Sequence, residues 1–123
     1  MFVGALCHDL DHRGFNNKFM IDVGSPLAAI YSTSTMEHHH FDQCLMLLNS
    51  QGNQLLANVS REEFRSVILL VEDSILATDL AVYFRRRGDT FSLLESRGLD
   101  WSSNQHRSLV RGMRGLTELV LHV

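Results

Sequence analysis

The stretch MFVGALCHDLDHRGFNN, residues 1–17, places an apolar run directly before a dense polar cluster. The pattern shows no strand-like alternation, so we predict that residues 1–12 form a core helix, which Gly14 ends. Residues four apart share one face of a helix. His8 and His12 are therefore expected to be neighbours, with Asp9 one step around the helix from His8.

Helix-start signals recur along the rest of the chain. Ser25-Pro26 combines an N-cap serine with a proline suited to the first helical position. Ser34 with Glu37, and Ser60 with Glu63, both match the S-x-x-E pattern of a capping box. Each signal predicts a helix that begins at the serine.

The predicted helix ends are marked mostly by glycine. The helix from Ser34 should stop near Gly52, and the long apolar helix from Ser60 should stop at Gly88. A short helix over 90–97 and a last helix after Ser103 complete the pattern. The chain is therefore predicted to be an all-α assembly of about six helices without an interdomain linker.

Composition restricts the class of protein. The chain has 123 residues, 45% of them hydrophobic, and a formal net charge of -3, which suits one modest domain and gives no indication of a nucleic-acid partner. The longest apolar run, at 67–71, is too short for a membrane span, and residues 1–7 lack the features of a signal peptide. Cys7 and Cys44 lie in apolar stretches, which is typical of reduced thiols and predicts a cytoplasmic location.

The HDLDH segment, residues 8–12, combines two metal-ligating side-chain types. Imidazole nitrogens and carboxylate oxygens suit Zn²⁺ and harder divalent ions. A carboxylate can also bridge two ions, and two-metal sites activate water for attack on phosphorus. The alternative interpretation is a helix end with exposed acids and surface histidines.

The MEHHHF segment, residues 36–41, allows two interpretations. Glu37 could serve only as the acid of the capping box, or it could orient a metal-bound water or a catalytic histidine. Three consecutive histidines point in three directions on a helix, so at most one or two can face a single site.

Thr78-Asp79 stands in the middle of the predicted apolar helix. A charge at a core position costs several kcal/mol unless it is paired or lies near a metal. The segment is therefore interpreted as functional, with an Asp79 that faces solvent as the alternative.

Together, HDLDHRGFNN, SPLAAIYSTSTMEHHHF and ILATDLAVYFRRRG resemble, in this order, the catalytic domain of class I cyclic nucleotide phosphodiesterases. The likeness is greatest to the cGMP-specific type five branch and covers about residues 3–110, while residues 111–123 diverge. It implies that residues 1–123 are one partial catalytic domain, all-α and of the HD, or cyclic nucleotide phosphodiesterase, type.

The resemblance implies hydrolysis of the 3′ phosphoester of a 3′,5′-cyclic nucleotide, with cGMP favoured over cAMP. In that family a hydroxide held by two divalent metals, Zn²⁺ and Mg²⁺ (or Mn²⁺), attacks phosphorus, and a histidine protonates the departing oxygen. A homodimer of the parent protein is compatible with it.

Position by position, the resemblance implies that His8 is a zinc ligand and that Asp9 contacts the metal pair. His12 matches the histidine near the second metal's waters and the substrate phosphate. Glu37 matches the glutamate that supports the catalytic histidine and a metal-bound water.

Three further matches lie at residues 78–80. Thr78 and Asp79 match polar residues around the water shell of the second metal, and Leu80 would lie near the nucleotide base.

Several features of the family have no match in this sequence, among them the glutamine and the aromatic clamp that hold the purine. The His-Asn-x-x-x-His pattern, which carries the proton-donating histidine and another zinc ligand, lies upstream in the family. A further ligand aspartate should stand near position 120, where this chain has LTELVLHV. The chain is therefore expected to be a fragment that alone binds metal weakly and does not turn over cyclic nucleotide.

Two other functions remain possible from the residues. HDLDH could be a variant of the His-Glu-x-x-His helix of zinc proteases, with Asp9 as base and Glu37 as third ligand. Alternatively, the chain is a non-catalytic helical interaction module.

Overall fold

The computed structural model describes residues 2–96, 100–104 and 106–107, and over these residues it contains helices and no strand. The predicted all-α class is confirmed. The helices are α1 Phe2–Cys7, α2 Asn17–Asp22, α3 Pro26–Ile30, α4 Thr35–Asn49, α5 Arg61–Leu76 and α6 Leu80–Ser96. The chain divides into two compact units, residues 1–76 and 77–123, and α6 lies in the second.

The first unit is built around the pair α4 and α5. Helix α1 packs against both, while α2 and α3 pack against each other and against α4. The buried core consists of Phe41 and Cys44 from α4 with Val71 and Ile75 from α5. Burial of these apolar side chains is the main force that holds α4 on α5.

Gly4 sets the close approach of α1 to α5. A Cβ atom at Gly4 would lie 3.1 Å from Cβ of Ser74, which is tighter than ordinary packing. The glycine thus lets the helix that leads into the HDLDH segment lie directly on α5.

All three predicted helix starts are confirmed, since α3 follows Ser25, α4 follows Ser34 and α5 follows Ser60. The hydroxyl of Ser25 accepts a hydrogen bond from the N–H of Leu27, and Pro26 occupies the first turn of α3. At α5, the Ser60 N–H donates to Glu63 at 2.9 Å and the Glu63 N–H donates to the Ser60 hydroxyl at 3.2 Å. This reciprocal pair is the predicted capping box.

The prediction of one helix over residues 1–12 is wrong. Helix α1 ends at Cys7, and residues 8–14 form turns. The Nδ1–H of His8 donates to the Ala5 carbonyl at 2.7 Å and so satisfies a carbonyl of the last turn. Asp11 then has φ 56°, the left-handed conformation that Asp tolerates better than most residues.

The prediction of one helix from Ser60 to Gly88 is also wrong. The chain leaves the helix after Leu76, and Asp79 begins α6 as its N-cap, since its carboxylate accepts from the Ala81 N–H at 2.9 Å. Asp competes with helical geometry in a helix interior but stabilises a helix start.

Helix α6 continues through Gly88 to Ser96, so the predicted stop at that glycine is wrong, and the short helix predicted over 90–97 is the end of α6. The predicted helix after Ser103 falls mostly outside the described residues.

Helix α2 was not predicted from the sequence. Asn16 caps it by accepting from the N–H of Phe19 at 2.9 Å. Within the described residues, none of the helices has the length and apolar character needed to traverse a lipid bilayer.

Candidate metal centre

The turns after α1 and the first turns of α4 bring three possible metal ligands together. One donor atom each from Asp9, His12 and His40 lie within 4.8 Å of one another. His40 is buried, whereas Asp9 and His12 are exposed. The cluster therefore has one wall in the protein and one side open to solvent.

The hydrogen bonds of His40 determine which nitrogen is available. Its Nδ1–H donates to the Leu10 carbonyl at 2.5 Å, which leaves a lone pair on Nε2, 3.9 Å from Oδ1 of Asp9. Burial lowers the pKa of His40, so the ring is held in the neutral form. A neutral imidazole with a backbone partner on the other nitrogen is the usual state of a metal ligand.

His8 has the same arrangement on the other side of Asp9. Because its Nδ1–H donates to the Ala5 carbonyl, the lone pair of the neutral ring lies on Nε2, 3.2 Å from Oδ2 of Asp9. The Asp9 carboxylate thus lies beside two imidazole nitrogens, His8 at one oxygen and His40 at the other.

His12 differs from these two histidines. Its Nδ1 accepts a hydrogen bond from the N–H of Gly14 at 3.0 Å. A neutral ring therefore carries its proton on Nε2, where it is a hydrogen-bond donor. The ring stacks on that of His40, with the two centroids 5.6 Å apart.

The other two histidines of MEHHHF have separate contacts. His38 donates from Nδ1 to the Ser34 carbonyl at 3.0 Å, and its ring stacks on Tyr31. His39 donates from Nε2 to Asp11 at 2.8 Å, and this hydrogen bond is the main cause of the lowered pKa of Asp11. The prediction that the three histidines point in different directions is confirmed.

Glu37 does not form the predicted capping box. Ser34 has φ 47°, in the left-handed region, and its side chain makes no N-cap hydrogen bond. The Glu37 carboxylate instead accepts from the amide of Asn17 at 2.8 Å. Its charge also acts on the pKa of His40, though less than burial does and in the opposite, raising direction, so Glu37 lies close to the cluster.

Thr78, Asp79 and Leu80 belong to the second unit. Asp79 is buried, with 8% of its surface exposed, and caps α6, while Leu80 is 62% exposed. The alternative in which Asp79 faces solvent is therefore wrong. The predicted roles of these three residues in a water shell and at a base stay predictions.

The donor set fits a divalent metal. Imidazole nitrogens and a carboxylate are ligands that Zn²⁺ accepts, and a carboxylate between two imidazoles can also bind a harder ion. The zinc-protease interpretation fails on geometry, because it requires residues 8–12 to be helical and they are not. Sequence reasoning did not single out His40 or Asn17. For His40 a signal existed, since Glu37 and His40 are three apart and share a face of α4.

Comparison with known proteins agrees with this chemistry. The family model described as 3'5'-cyclic nucleotide phosphodiesterase matches residues 1–123. A dual 3',5'-cyclic-AMP and -GMP phosphodiesterase 11 of Drosophila melanogaster is 57% identical over 113 residues, which is 92% of this chain and 8% of that protein. A cGMP-specific 3',5'-cyclic phosphodiesterase of Drosophila virilis is 52% identical over 113 residues, 92% of this chain and 13% of the relative. The chain thus spans about a tenth of the length of these curated relatives.

Proposed function

The chain belongs to the 3′,5′-cyclic nucleotide phosphodiesterase family, and from this membership we propose that the protein that carries it hydrolyses the 3′ phosphoester of a cyclic nucleotide. The observation that supports this most is the Asp9 carboxylate beside imidazole nitrogens of His8 and His40. The relatives named cGMP-specific or dual favour cGMP over cAMP as the substrate. We also propose that residues 1–123 are one part of the catalytic domain and that the protein acts in the cytoplasm.

We assign His8 and Asp9 to the metal ions, with His40 as an added candidate on the other side of Asp9. Two divalent cations, Zn²⁺ with Mg²⁺ or Mn²⁺, would supply Lewis acidity at the phosphoryl oxygens and acidify a bound water. The chain's own contribution is to bond Nδ1 of both imidazoles to backbone carbonyls, which leaves each Nε2 beside the same carboxylate.

His12 would act on the substrate rather than on a metal. Since its Nδ1 accepts from Gly14, its Nε2–H can donate to a phosphate oxygen at the exposed side of the cluster. Such a donor stabilises the negative charge that develops on phosphoryl oxygens during the displacement.

Glu37 would orient a water or the proton-donating histidine, and its carboxylate is already held by Asn17. For Thr78 and Asp79 we propose contact with the metal's water shell, and for Leu80 contact with the nucleotide base. Homodimerisation of the parent protein also stays a prediction.

The test measures bound metal and cGMP hydrolysis on one purified sample of the 123-residue chain, with Zn²⁺ and Mg²⁺ supplied. From the ligands of the family pattern that this sequence lacks, we expect weak metal binding and no turnover. Near-stoichiometric metal with turnover would contradict this expectation for the isolated chain.

The proposed activity of the whole protein is tested by a second experiment. The aligned 113 residues of this chain replace those of the Drosophila melanogaster phosphodiesterase 11. We expect this graft to hydrolyse cGMP, and Asp9→Asn in it to lower turnover on the order of 100-fold or more. His38→Ala is the matched control, because His38 contacts Ser34 and Tyr31 outside the cluster. A folded graft without cyclic nucleotide turnover would refute the proposed function.

A non-catalytic role is the second candidate. Helix α5 exposes the side chains of Leu69 and Leu70, about half of each, and further large apolar side chains of the first unit, such as Ile30 and Met46, are exposed as well. This exposure favours a chain that is covered by more protein. A folded chain that binds a phosphodiesterase subunit but has no metal would support the interaction module.

A further inference from the structure

Asn17 makes two hydrogen bonds to the start of α4, although it is 20 residues away from Glu37 in sequence. Its Oδ1 accepts from the backbone N–H of Met36 at 2.7 Å, and its Nδ2 donates to Oε2 of Glu37 at 2.8 Å. Asn17 is half-buried, so both bonds are partly shielded from water. Both the oxygen and the nitrogen of the Asn17 amide are therefore bonded to α4.

The orientation of the amide is determined by its partners. A backbone N–H can only donate, so the oxygen of Asn17 must face Met36. A carboxylate can only accept, so the nitrogen must face Glu37. The opposite orientation would place two donors against each other at Met36 and two acceptors against each other at Glu37.

These contacts explain why the S-x-x-E pattern at Ser34 does not fold as a capping box. Met36 lies in the first turn of α4, where N–H groups have no acceptor within the helix. Asn17 supplies that acceptor from α2, and its NH₂ group holds the acid that would otherwise turn back to the backbone of Ser34. Glu37 and His40 are three apart on α4, so a restrained Glu37 lies on the face that carries His40.

We propose that Asn17 is a positioning residue, which caps α4 from a distance and holds the Glu37 carboxylate beside the cluster of Asp9, His12 and His40. The inference rests on the proposed function for its catalytic consequence. It extends that function, because Asn17, the last residue of HDLDHRGFNN, would orient Glu37 of MEHHHF.

The first experiment measures urea unfolding of the metal-free 123-residue chain and needs no activity. Asn17→Asp keeps the acceptor for Met36 but places a second carboxylate against Glu37. In the double variant Asn17→Asp/Glu37→Gln, the new glutamine can donate to the new aspartate, which restores the bond with reversed polarity. We expect Glu37→Gln to relieve the loss caused by Asn17→Asp by roughly tenfold in the unfolding equilibrium constant. Additive effects would overturn the proposed contact.

The second experiment measures the affinity of the same variants for Mn²⁺ alone. Removing a residue that bonds to the groups around a metal site typically lowers metal affinity or activity by about 10–100-fold. We therefore expect Asn17→Ala and Asn17→Asp to weaken Mn²⁺ binding about tenfold. Asn16→Ala is the matched control, since Asn16 caps α2 and donates nothing to Glu37. An equal loss in Asn16→Ala would mean that Asn17 acts only through general stability.

Turnover gives the third readout, in the graft described above. We expect Asn17→Asp to lower kcat for cGMP about tenfold while KM changes less, because substrate contacts remain. If the unsubstituted graft is inactive, the proposed function fails, and the unfolding cycle and Mn²⁺ affinity still decide the role of Asn17. If the graft is active and Asn17→Asp leaves kcat unchanged, the positioning role is refuted while the proposed function stands.

Discussion

Two helix starts in this chain carry the same sequence pattern and fold differently. At α5, Ser60 and Glu63 form the reciprocal hydrogen bonds of a capping box. At α4, Ser34 adopts a left-handed conformation and Glu37 is held by Asn17. A local motif therefore forms its local structure only where no tertiary partner offers the same groups a better contact.

The difference also separates stability from function. The Ser60–Glu63 pair is exposed, and neither residue belongs to the donor cluster found among the described residues, so these hydrogen bonds stabilise the start of α5. Glu37 is half-buried and lies near His40. Because Glu37 does not bond to Ser34, its carboxylate can lie beside the metal-ligand cluster. Asn17 supplies the capping acceptor for the Met36 N–H instead.

The largest expected effect concerns the core that both helices share. Ile75 of α5 has no exposed surface and packs against Phe41 and Cys44 of α4. Ile75→Ala should lower the free energy of unfolding by about 2–5 kcal/mol, since it leaves a cavity. Leu69→Ala, on the same helix but 50% exposed, is the control and should cost about 1 kcal/mol or less. Equal losses in urea unfolding would show that the two helices do not share this core.

The second effect should distinguish the two acids. In the graft, Glu37→Gln is expected to lower kcat for cGMP by about 10–100-fold, because the amide is a poorer acceptor for a water or a histidine. Glu63→Gln at the other helix start should leave kcat within about twofold, since a glutamine still completes a capping box. Similar kcat values in both variants would contradict the assignment of Glu37 to the site.

The third effect is a loss of helix capping. Ser60→Ala removes the hydroxyl that accepts from the Glu63 N–H and should cost about 1 kcal/mol in the free energy of unfolding. Ser66→Ala is a matched control, because the Ser66 hydroxyl only donates to the Glu62 carbonyl within α5. A Ser60→Ala loss no greater than that of Ser66→Ala would mean that the capping box contributes nothing to the chain's stability.

The smallest effect is a pH dependence at α5. Hydrogen bonds from the backbone and side chain of Ser60 lower the pKa of Glu63 below its ordinary value of 4.5. A lowered pKa in the folded state means that the contribution is fully present above pH 4.5 and is lost as the pH falls through the folded value. We expect Glu63→Gln to flatten the stability profile in that acid range. Superimposable profiles for the two chains would refute this linkage.

Sequence reasoning succeeded where neighbours along the chain decide the structure. The starts of α3 and α5 were predicted because Ser25 and Ser60 contact groups two or three residues away. The same reasoning failed at residues 8–12 and 76–80, where the chain turns. It predicted the start of α4 at Ser34 correctly, but not the contact of Glu37 with the distant Asn17. The ligand type of HDLDH could be predicted from its residues, but the arrangement around Asp9 could not, because it depends on the turns after Cys7.

By itself, the sequence determined the all-helical class, the family and the residue types of a metal site, since these follow from periodicity, motif order and side-chain chemistry. Only the tertiary structure decided which nitrogen of His40 is available, because the Leu10 carbonyl that bonds its Nδ1 lies 30 residues away in the sequence. At His8 and His12 the partners are Ala5 and Gly14, within three residues along the chain, so the local turns after Cys7 make that choice. The tertiary structure likewise decided that Glu37 belongs to Asn17 rather than to Ser34, because a hydrogen bond across 20 residues forms only after α2 packs on α4.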